Sequence, residues 1–428
     1  VLADSSVVTL ALPEILARFH VAIATLAWVL TAFNLALALA ALPAAFLARR
    51  RPTLVFGTGA VVFAAASLVC GLVPSFGVLV AGRAVQGVAG AAVVCAALVL
   101  LSEVTGGDAP AARVWILAGI AGAALGPAAG GILTQLLGWE SIFIVQAPAV
   151  LLGLLVLRRV RGVVPVPEPV ERPNLGANAA LLLISGALVA ALFLLVILLI
   201  NGWRLEPLPA GIVVTLMPVA AIAAIRFGAR IPLLWVRATS GVILIAGGLA
   251  ALGWLPRAGW EWTLAPQLAI GSGLGFAVSA LSQRALAGRS AQAVHGGWAI
   301  AARHAGVVLG LVVLTPLFTH DLHHSEAHAL AAGTAAVLDS RIPPLQKVGV
   351  ARKILVAVDD AKAEARIPDI RQVVDNEDDS AYGDLASALQ DQLDRAVTNA
   401  CSRAFLAAAL LGLAALVPIV FVRREVSV

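Results

Sequence analysis

Charge is what this chain has least of. Only 12% of its residues are Asp, Glu, Lys or Arg, against about 25% in a soluble domain. With 61% hydrophobic residues beside it, that scarcity excludes a water-soluble fold and predicts an integral membrane protein. Lysine is scarcer still, three of the 29 basic residues. The bias to Arg, with the abundance of Ala, points to a bacterial source of high GC content. The three cysteines, Cys70, Cys95 and Cys401, lie far apart in or beside apolar runs, so no disulfide framework is implied. No Walker-type glycine loop is present, which excludes ATP as an energy source within this chain. No nucleophile–base constellation is visible, so an enzyme is not expected. The net charge of +5 belongs to Arg flanking apolar runs. A basic stripe with interleaved aromatics is absent, so nucleic acid is not an expected partner. The opening residues carry no basic n-region and read as a shortened membrane helix, not a signal peptide.

What the chain does have is apolar runs long enough to cross a bilayer. Twelve are expected, at roughly 1–17, 22–48, 54–73, 76–101, 112–137, 140–158, 177–202, 209–229, 238–255, 263–286, 293–319 and 401–422. With the first span starting in the cytoplasm, fifteen Arg fall in inside loops and tail, and three (Arg18, Arg204 and Arg257) in short outside loops. Trp139, Trp203, Trp254, Trp260 and Trp262 then mark outer span ends. The Pro- and Val-rich stretch 159–176 reads as a cytoplasmic linker between a first half, 1–158, and the helices of a second half, 177–319. Residues 320–400 hold 14 of the 24 acidic residues and all the Lys. They read as an extracytoplasmic insertion before a last helix and tail, 401–428. Within it, Tyr382, Leu385, Leu389, Leu393 and Val397 mark an amphipathic helix running into the last span, and a second helix is expected near Leu345–Ala365. A small helical cap and a solvated loop are both open readings of this insertion.

The chain is organised around one stretch, Gly119-Ile-Ala-Gly122-Ala-Ala-Leu-Gly126-Pro127-Ala-Ala-Gly130-Gly131. Ala118, Gly122, Gly126, Gly130 and Thr134 recur every four residues and form a stripe with almost no side chain. A second helix can lie close against such a stripe. Pro127 removes the N–H that would bond the Ala123 carbonyl, so a bend is expected there. A plain packing helix would show a small-residue stripe too.

This stretch, with its internal Pro and following Gly pair, resembles the fifth-helix antiporter motif of the major facilitator superfamily. Other stretches resemble that family's drug:proton antiporter branches, closest to the branch usually built with fourteen helices. Asp4-Ser-Ser-Val-Val-Thr-Leu-Ala-Leu-Pro13 is similar to its first-helix motif, and Trp28-Val-Leu-Thr-Ala-Phe-Asn34 to its second helix. Ala81-Gly-Arg83-Ala-Val-Gln86-Gly87-Val-Ala-Gly90 is similar to the fourth-helix motif. The resemblance implies an all-α membrane protein of the major-facilitator fold, with twelve transmembrane helices in two six-helix bundles. It departs in the loop after the second span, Ala45-Phe-Leu-Ala-Arg49-Arg50-Arg51-Pro52. The acidic residue and glycines that help latch the family's cytoplasmic gate are absent. Arg49, Arg50 and Arg51 remain. The central helix pair of a fourteen-helix chain is absent as well.

Ionisable groups inside the hydrocarbon region are costly and are functional candidates by default. Asp4, Arg83 and Arg303 are the leading three, with His304 beside the last. At ~1.5 Å per residue, Asp4 lies ~21 Å, Arg303 ~24 Å and Arg83 ~12 Å from the outer ends of their spans. Depth therefore pairs Asp4 with Arg303. Asp4 is expected to bind and release a coupling proton, held ionised by a nearby cation until the two separate. A static ion pair is the plainer alternative. Arg83 resembles the fourth-helix Arg that the family uses in proton transfer, and a role bonding backbone carbonyls is equally open. Asn34, Gln86, Gln146, Gln267 and Gln283 are candidates to line a substrate cavity, or each to make an interhelical hydrogen bond. His320, His324 and His328 would share a helix face at zinc-ligand spacing. A solvated surface is the commoner meaning of such a cluster, and no metal is expected.

The reading that results is a multi-pass secondary transporter of the bacterial inner membrane, exporting small amphiphilic drugs or related molecules by alternating access. It has no cofactor beyond protons as the coupling ion. It is expected to act as a monomer, with a periplasmic partner conceivable through the insertion. Two alternatives keep the fold: export of a lipid or cell-envelope precursor, and a sensor that transports nothing.

Overall fold

The computed structural model describes residues 4–157, 160, 169–340, 343–363 and 380–424, and among them no strand occurs. The first expected span is split into α1, Asp4–Thr9, and α2, Leu12–Phe19. Pro13 has no N–H to continue the ladder from α1, so it stands in the first turn of a new helix instead. Next come α3, Ile23–Leu26, α4, Trp28–Ala48, and α5, Pro52–Gly71, which again starts on a proline. Helix α6, Phe76–Thr105, stops where Gly106 turns left-handed at φ 74°. Helices α7, Asp108–Leu137, and α8, Glu140–Leu157, close the first half, α7 running unbroken through Pro127.

Helix α9, Leu175–Ile197, is capped by the Asn174 side chain, which accepts from the Ala177 N–H at 2.8 Å. It ends in a π turn, Leu198–Gly202. Then follow α10, Pro207–Gly228, α11, Leu234–Gly253, and α12, Leu264–Leu286, entered through a 3-10 turn. The next helix, α13, runs from Gln292 to Asp339, twenty residues past the end expected near 319. The last three are α14, Pro344–Ala363, α15, Ser380–Ala414, and α16, Leu416–Arg424. Helix α15 thus runs from the acidic region into the last apolar run. The end of α13 meets α14 and α15 through a small apolar cluster of Val337, Val350, Leu385, Ala386 and Leu389.

Ten of the described helices are long and apolar enough to cross a membrane, and Glu140–Leu155 is a shorter apolar one. The first of the twelve expected spans consists of pieces of 6 and 8 residues. The chain is a multi-pass membrane protein.

The packing repeats between the halves. In the first, α4 packs on α6, α5 on α6 and α8, and α1 on α7. In the second, α10 packs on α12, α11 on α12 and α15, and α9 on α13. The seam between halves is made by α7 with α10 and by α4 with α13. Each of these pairs places one helix from a half against the counterpart of its neighbour, as a twofold relation between repeats requires.

Glycine decides how close the pairs come. A Cβ on Gly130 would meet the Val7 carbonyl of α1 at 2.5 Å, and one on Gly131 would meet the Pro207 carbonyl of α10 at 2.7 Å. Helix α7 is therefore wedged between α1 of its own half and α10 of the other. On the opposite side, Gly306 and Gly310 of α13 lie against the carbonyls of Leu182 and Gly186 of α9, with no room for a Cβ.

Candidate functional site

Arg83 lies on α6, seven residues from its outer start, and its side chain is fully buried. Asp4, at the start of α1, is 1% exposed. The two form a bidentate pair, with Nη1 donating to Oδ1 at 2.9 Å and Nη2 lying 2.6 Å from Oδ2. This corrects the pairing expected from depth, Asp4 with Arg303. Heights measured along straight helices missed the break after Thr9 and the reach of a guanidinium.

The rest of the guanidinium is also engaged. Nε donates to the Val29 carbonyl at 3.0 Å, and Nη1 donates to Gln86 Oε1 at 2.9 Å. Gln86 Nε2 donates to Ser67 Oγ at 2.7 Å, and Ser67 donates to the Phe63 carbonyl at 2.8 Å. The Phe33 ring centroid lies 4.3 Å from Arg83 Cζ, a desolvated cation–π contact, and Phe143 lies at 5.7 Å. Five helices, α1, α4, α5, α6 and α8, thus surround one ion pair.

A second polar chain starts one residue along. Ser5 and Asn34 are linked at 3.3–3.4 Å, and Asn34 Nδ2 donates to the Leu30 carbonyl at 2.7 Å. That bond turns Oδ1 toward α13 of the other half, where His304 Nδ1 lies 2.6 Å away. With Oδ1 accepting, His304 Nδ1 is the protonated nitrogen and Nε2 is left for other partners. Phe33 stands between the two systems, its ring 6.4 Å edge-on from that of His304.

Between the halves lies a cavity of about 180 Å³. Ser5, Ser6, Asn34, Ser185, Arg303 and His304 are polar groups on its wall, and Pro127 with Ala123 forms part of it from α7. Leu188, Val189, Leu192, Met217 and Val307 supply apolar surface. Pro127 leaves the Ala123 carbonyl without its helical partner at this wall.

Of the residues singled out in the sequence, Asn34, Pro127, Arg303 and His304 meet at this cavity. Gln86 belongs to the ion-pair network. Gln267 is buried and donates to Thr263 Oγ1 within its own turn at 2.9 Å, and Gln283 is exposed. Gln146 on α8 is half-buried, its amide without a hydrogen-bond partner among the described residues. These four do not line the central cavity, because each faces within its own half or outward. Gly126 and Gly130 face α1 and Gly131 faces α10, while Gly119 and Gly122 lie earlier on α7. Arg49, Arg50 and Arg51 connect α4 to α5. His320 and His324 are exposed on one face of α13, their rings 4.8 Å apart, while the His328 side chain lies outside the described residues. Among the described residues no three metal-ligating side chains come together. Half of the expected linker, residues 159 and 161–168, lies outside the described residues too.

Sequence reasoning missed Ser5 and the link from Asn34 to His304. A polar residue seven positions into an apolar helix was the available signal for Asn34, but nothing local names a partner 270 residues away.

A family model described as Major Facilitator Superfamily matches residues 1–315. The chain is 32% identical over 231 residues to a protein named drug efflux pump JefA from Mycobacterium tuberculosis, covering 52% of this chain and 43% of that one. It is 38% identical over 162 residues to the puromycin resistance protein pur8 of Streptomyces alboniger, covering 36% of this chain and 32% of that protein. The chain thus spans less than half the length of these curated relatives. Among solved structures, a bacterial homolog to the human lysosomal transporter Spinster, inward-facing and occupied, matches with a TM-score of 0.67. That match covers 99% of this chain and 94% of the other at 16% identity, which speaks for the fold alone.

Proposed function

Because this chain belongs to the Major Facilitator Superfamily, we propose that it is a secondary transporter, coupling proton movement to the export of small amphiphilic molecules by alternating access. The observation that carries the reading is the buried Asp4–Arg83 pair, one residue from the wall of a cavity between two repeated halves. The relatives named for drug efflux and antibiotic resistance support the cargo class.

The packing supplies a route for coupling. Protonating Asp4 removes the charge that Arg83 was buried to meet, and breaking one side of a buried pair costs about 3–5 kcal/mol. The strain is relieved if α1 shifts relative to α6. Helix α1 lies on the glycine stripe of α7, and α7 lies on α10 through Gly131 and Gly211. A shift of α1 is therefore delivered to the seam between halves, where rocking must occur. Ser5 moves with Asp4 and loosens Asn34 from His304, the polar contact across the other seam.

The experiment is uptake of a fluorescent amphiphile into inverted vesicles under an imposed pH gradient. Gradient-driven uptake by the wild type, lost in folded Asp4→Asn, is the expected result. Full gradient-driven uptake by Asp4→Asn would remove the proton role from Asp4.

A further inference from the structure

A half-buried cation here meets no acidic side chain among the described residues. Arg303 lies on the wall of the central cavity, eleven residues into α13, or roughly 17 Å along the helix. Among the described residues it makes no hydrogen bond and no ion pair. No acidic side chain lines the cavity. Asp4, the nearest acid along the polar chain, has both oxygens held by Arg83. A guanidinium at this depth in a membrane is costly unless something answers it. The helix backbone cannot, since its carbonyls are committed within α13. The wall around Arg303 adds hydrogen-bond groups and no second charge: His304, Asn34, Ser5, Ser6 and, on α9, Ser185. Leu188 and Leu192 of α9 supply apolar wall from the neighbouring helix, a surface for a hydrocarbon chain.

We propose that this cavity is an anion-binding subsite, in which Arg303 takes the acidic head of a single-chain amphiphile and the Leu188–Leu192 wall takes its tail. The inference rests on the export reading for its purpose, but the binding it describes needs no proton gradient. The guanidinium offers a planar fork matched to a carboxylate or phosphate head. The positive charge of Arg303, unmatched by any acid on the wall, excludes a cationic head. Placement is enforced by packing. Gly306, one turn beyond Arg303, lets α13 lie directly on α9, which carries Leu188 and Leu192. Head and tail surfaces therefore come from two helices in backbone contact.

The test is equilibrium binding to the purified full chain in neutral detergent, by scintillation proximity, with labelled decanoate, decanol and decylammonium. The wild type is expected to bind decanoate at least tenfold more tightly than decanol and decylammonium most weakly. Arg303→Gln should erase the preference for decanoate while leaving decanol binding unchanged, and Arg303→Lys should keep part of it. No preference in the wild type, a preference for decylammonium, or a preference that survives in Arg303→Gln would each overturn the proposal. If Arg303→Gln does not fold, the order of the three probes on the wild type and on Arg303→Lys still decides it. Acetate should fail to displace decanoate at concentrations that saturate with decanoate. Displacement would mean a site for a small free anion, and the amphiphile assignment falls. Charge-selective binding without gradient-driven uptake would sink the export reading and leave the subsite standing. Uptake without charge selectivity would do the reverse.

Discussion

The two halves share a packing plan and differ in charge. Gly87 of α6 lies against the Phe33 carbonyl of α4, and Gly271 of α12 lies against the Met217 carbonyl of α10, so the two glycines do one job in each repeat. Four residues before Gly87 stands Arg83, and four before Gly271 stands Gln267. In the first half the position is a cation, answered by Asp4 and wrapped by Gln86, Val29 and Phe33. In the second it is an amide satisfied by Thr263. The comparison runs the other way at the cavity. Ala123 precedes Gly126 by three residues on α7, and Arg303 precedes Gly306 by three on α13, both on the cavity wall. Small-residue packing is duplicated because helix contact demands it in both halves. The charged groups are not duplicated, and that asymmetry leaves a closed ion pair in one half and a cation without an acid at the cavity in the other.

The largest effect should follow from breaking the charged side of the comparison. Arg83→Ala leaves the Asp4 carboxylate buried alone and is expected to lower stability by about 3–5 kcal/mol. Gln267→Ala, its counterpart, removes one local hydrogen bond and should cost about 1 kcal/mol. Denaturant unfolding in detergent measures both, and equal losses would abolish the distinction between the halves. The double variant Asp4→Asn with Arg83→Gln should recover most of the stability lost in Arg83→Ala while remaining unable to couple.

Next come the shared glycines. Gly306→Ala drives a Cβ into the Leu182 backbone, whereas Gly126→Ala meets first the Ser6 hydroxyl, which can rotate away. Both should destabilise, by about 1–3 kcal/mol for overpacking, with Gly306→Ala the worse. The reverse order, read from melting temperatures, would show that α1 is held more rigidly than α9.

A smaller effect is expected at the seam. Asn34→Ala removes the bridge to His304 and should cost about 1 kcal/mol. Its more telling readout is crosslinking between α4 and α13, which should weaken in the variant. Unchanged crosslinking would take the bridge out of the coupling route. Smallest of all is Arg403→Ala. Its partner Asp321 lies at 3.3 Å but the Arg403 side chain is 77% exposed, so a change below about 1 kcal/mol is expected. A larger loss would make the contact between α13 and α15 more than a surface pair.

Much of the architecture was legible because a membrane leaves few choices. A run such as 177–202 has to be a helix, since its backbone groups have no water to bond. The Arg asymmetry of the loops and the resemblance of residues 1–155 to an antiporter pointed to the family for the same reason, through local pattern. Where sequence reading went astray, the fault was in third dimensions. Asp4 was paired with Arg303 by height, when the partner was decided by which helix lay beside it. Gln267 and Gln283 read like Asn34, as polar residues in apolar runs. Only their facing separates a cavity group from a helix-cap contact or an exposed amide. The end of α13 was placed near 319 because hydropathy fell there, but a polar helix continues as readily as an apolar one when α14 and α15 cover it.

By itself, the sequence determined the class of fold, the helices and the close-contact stripes, because these follow from transfer free energy and side-chain size read residue by residue. The tertiary structure decided which charges meet. Asp4 and Arg83 are 79 residues apart, and Asn34 and His304 are 270 apart. The interaction of such groups depends on distance and on what excludes water between them, and neither quantity exists until the helices have packed. The same holds for Arg303, which the sequence marks as a costly charge in an apolar run and which packing leaves facing a cavity without an acid.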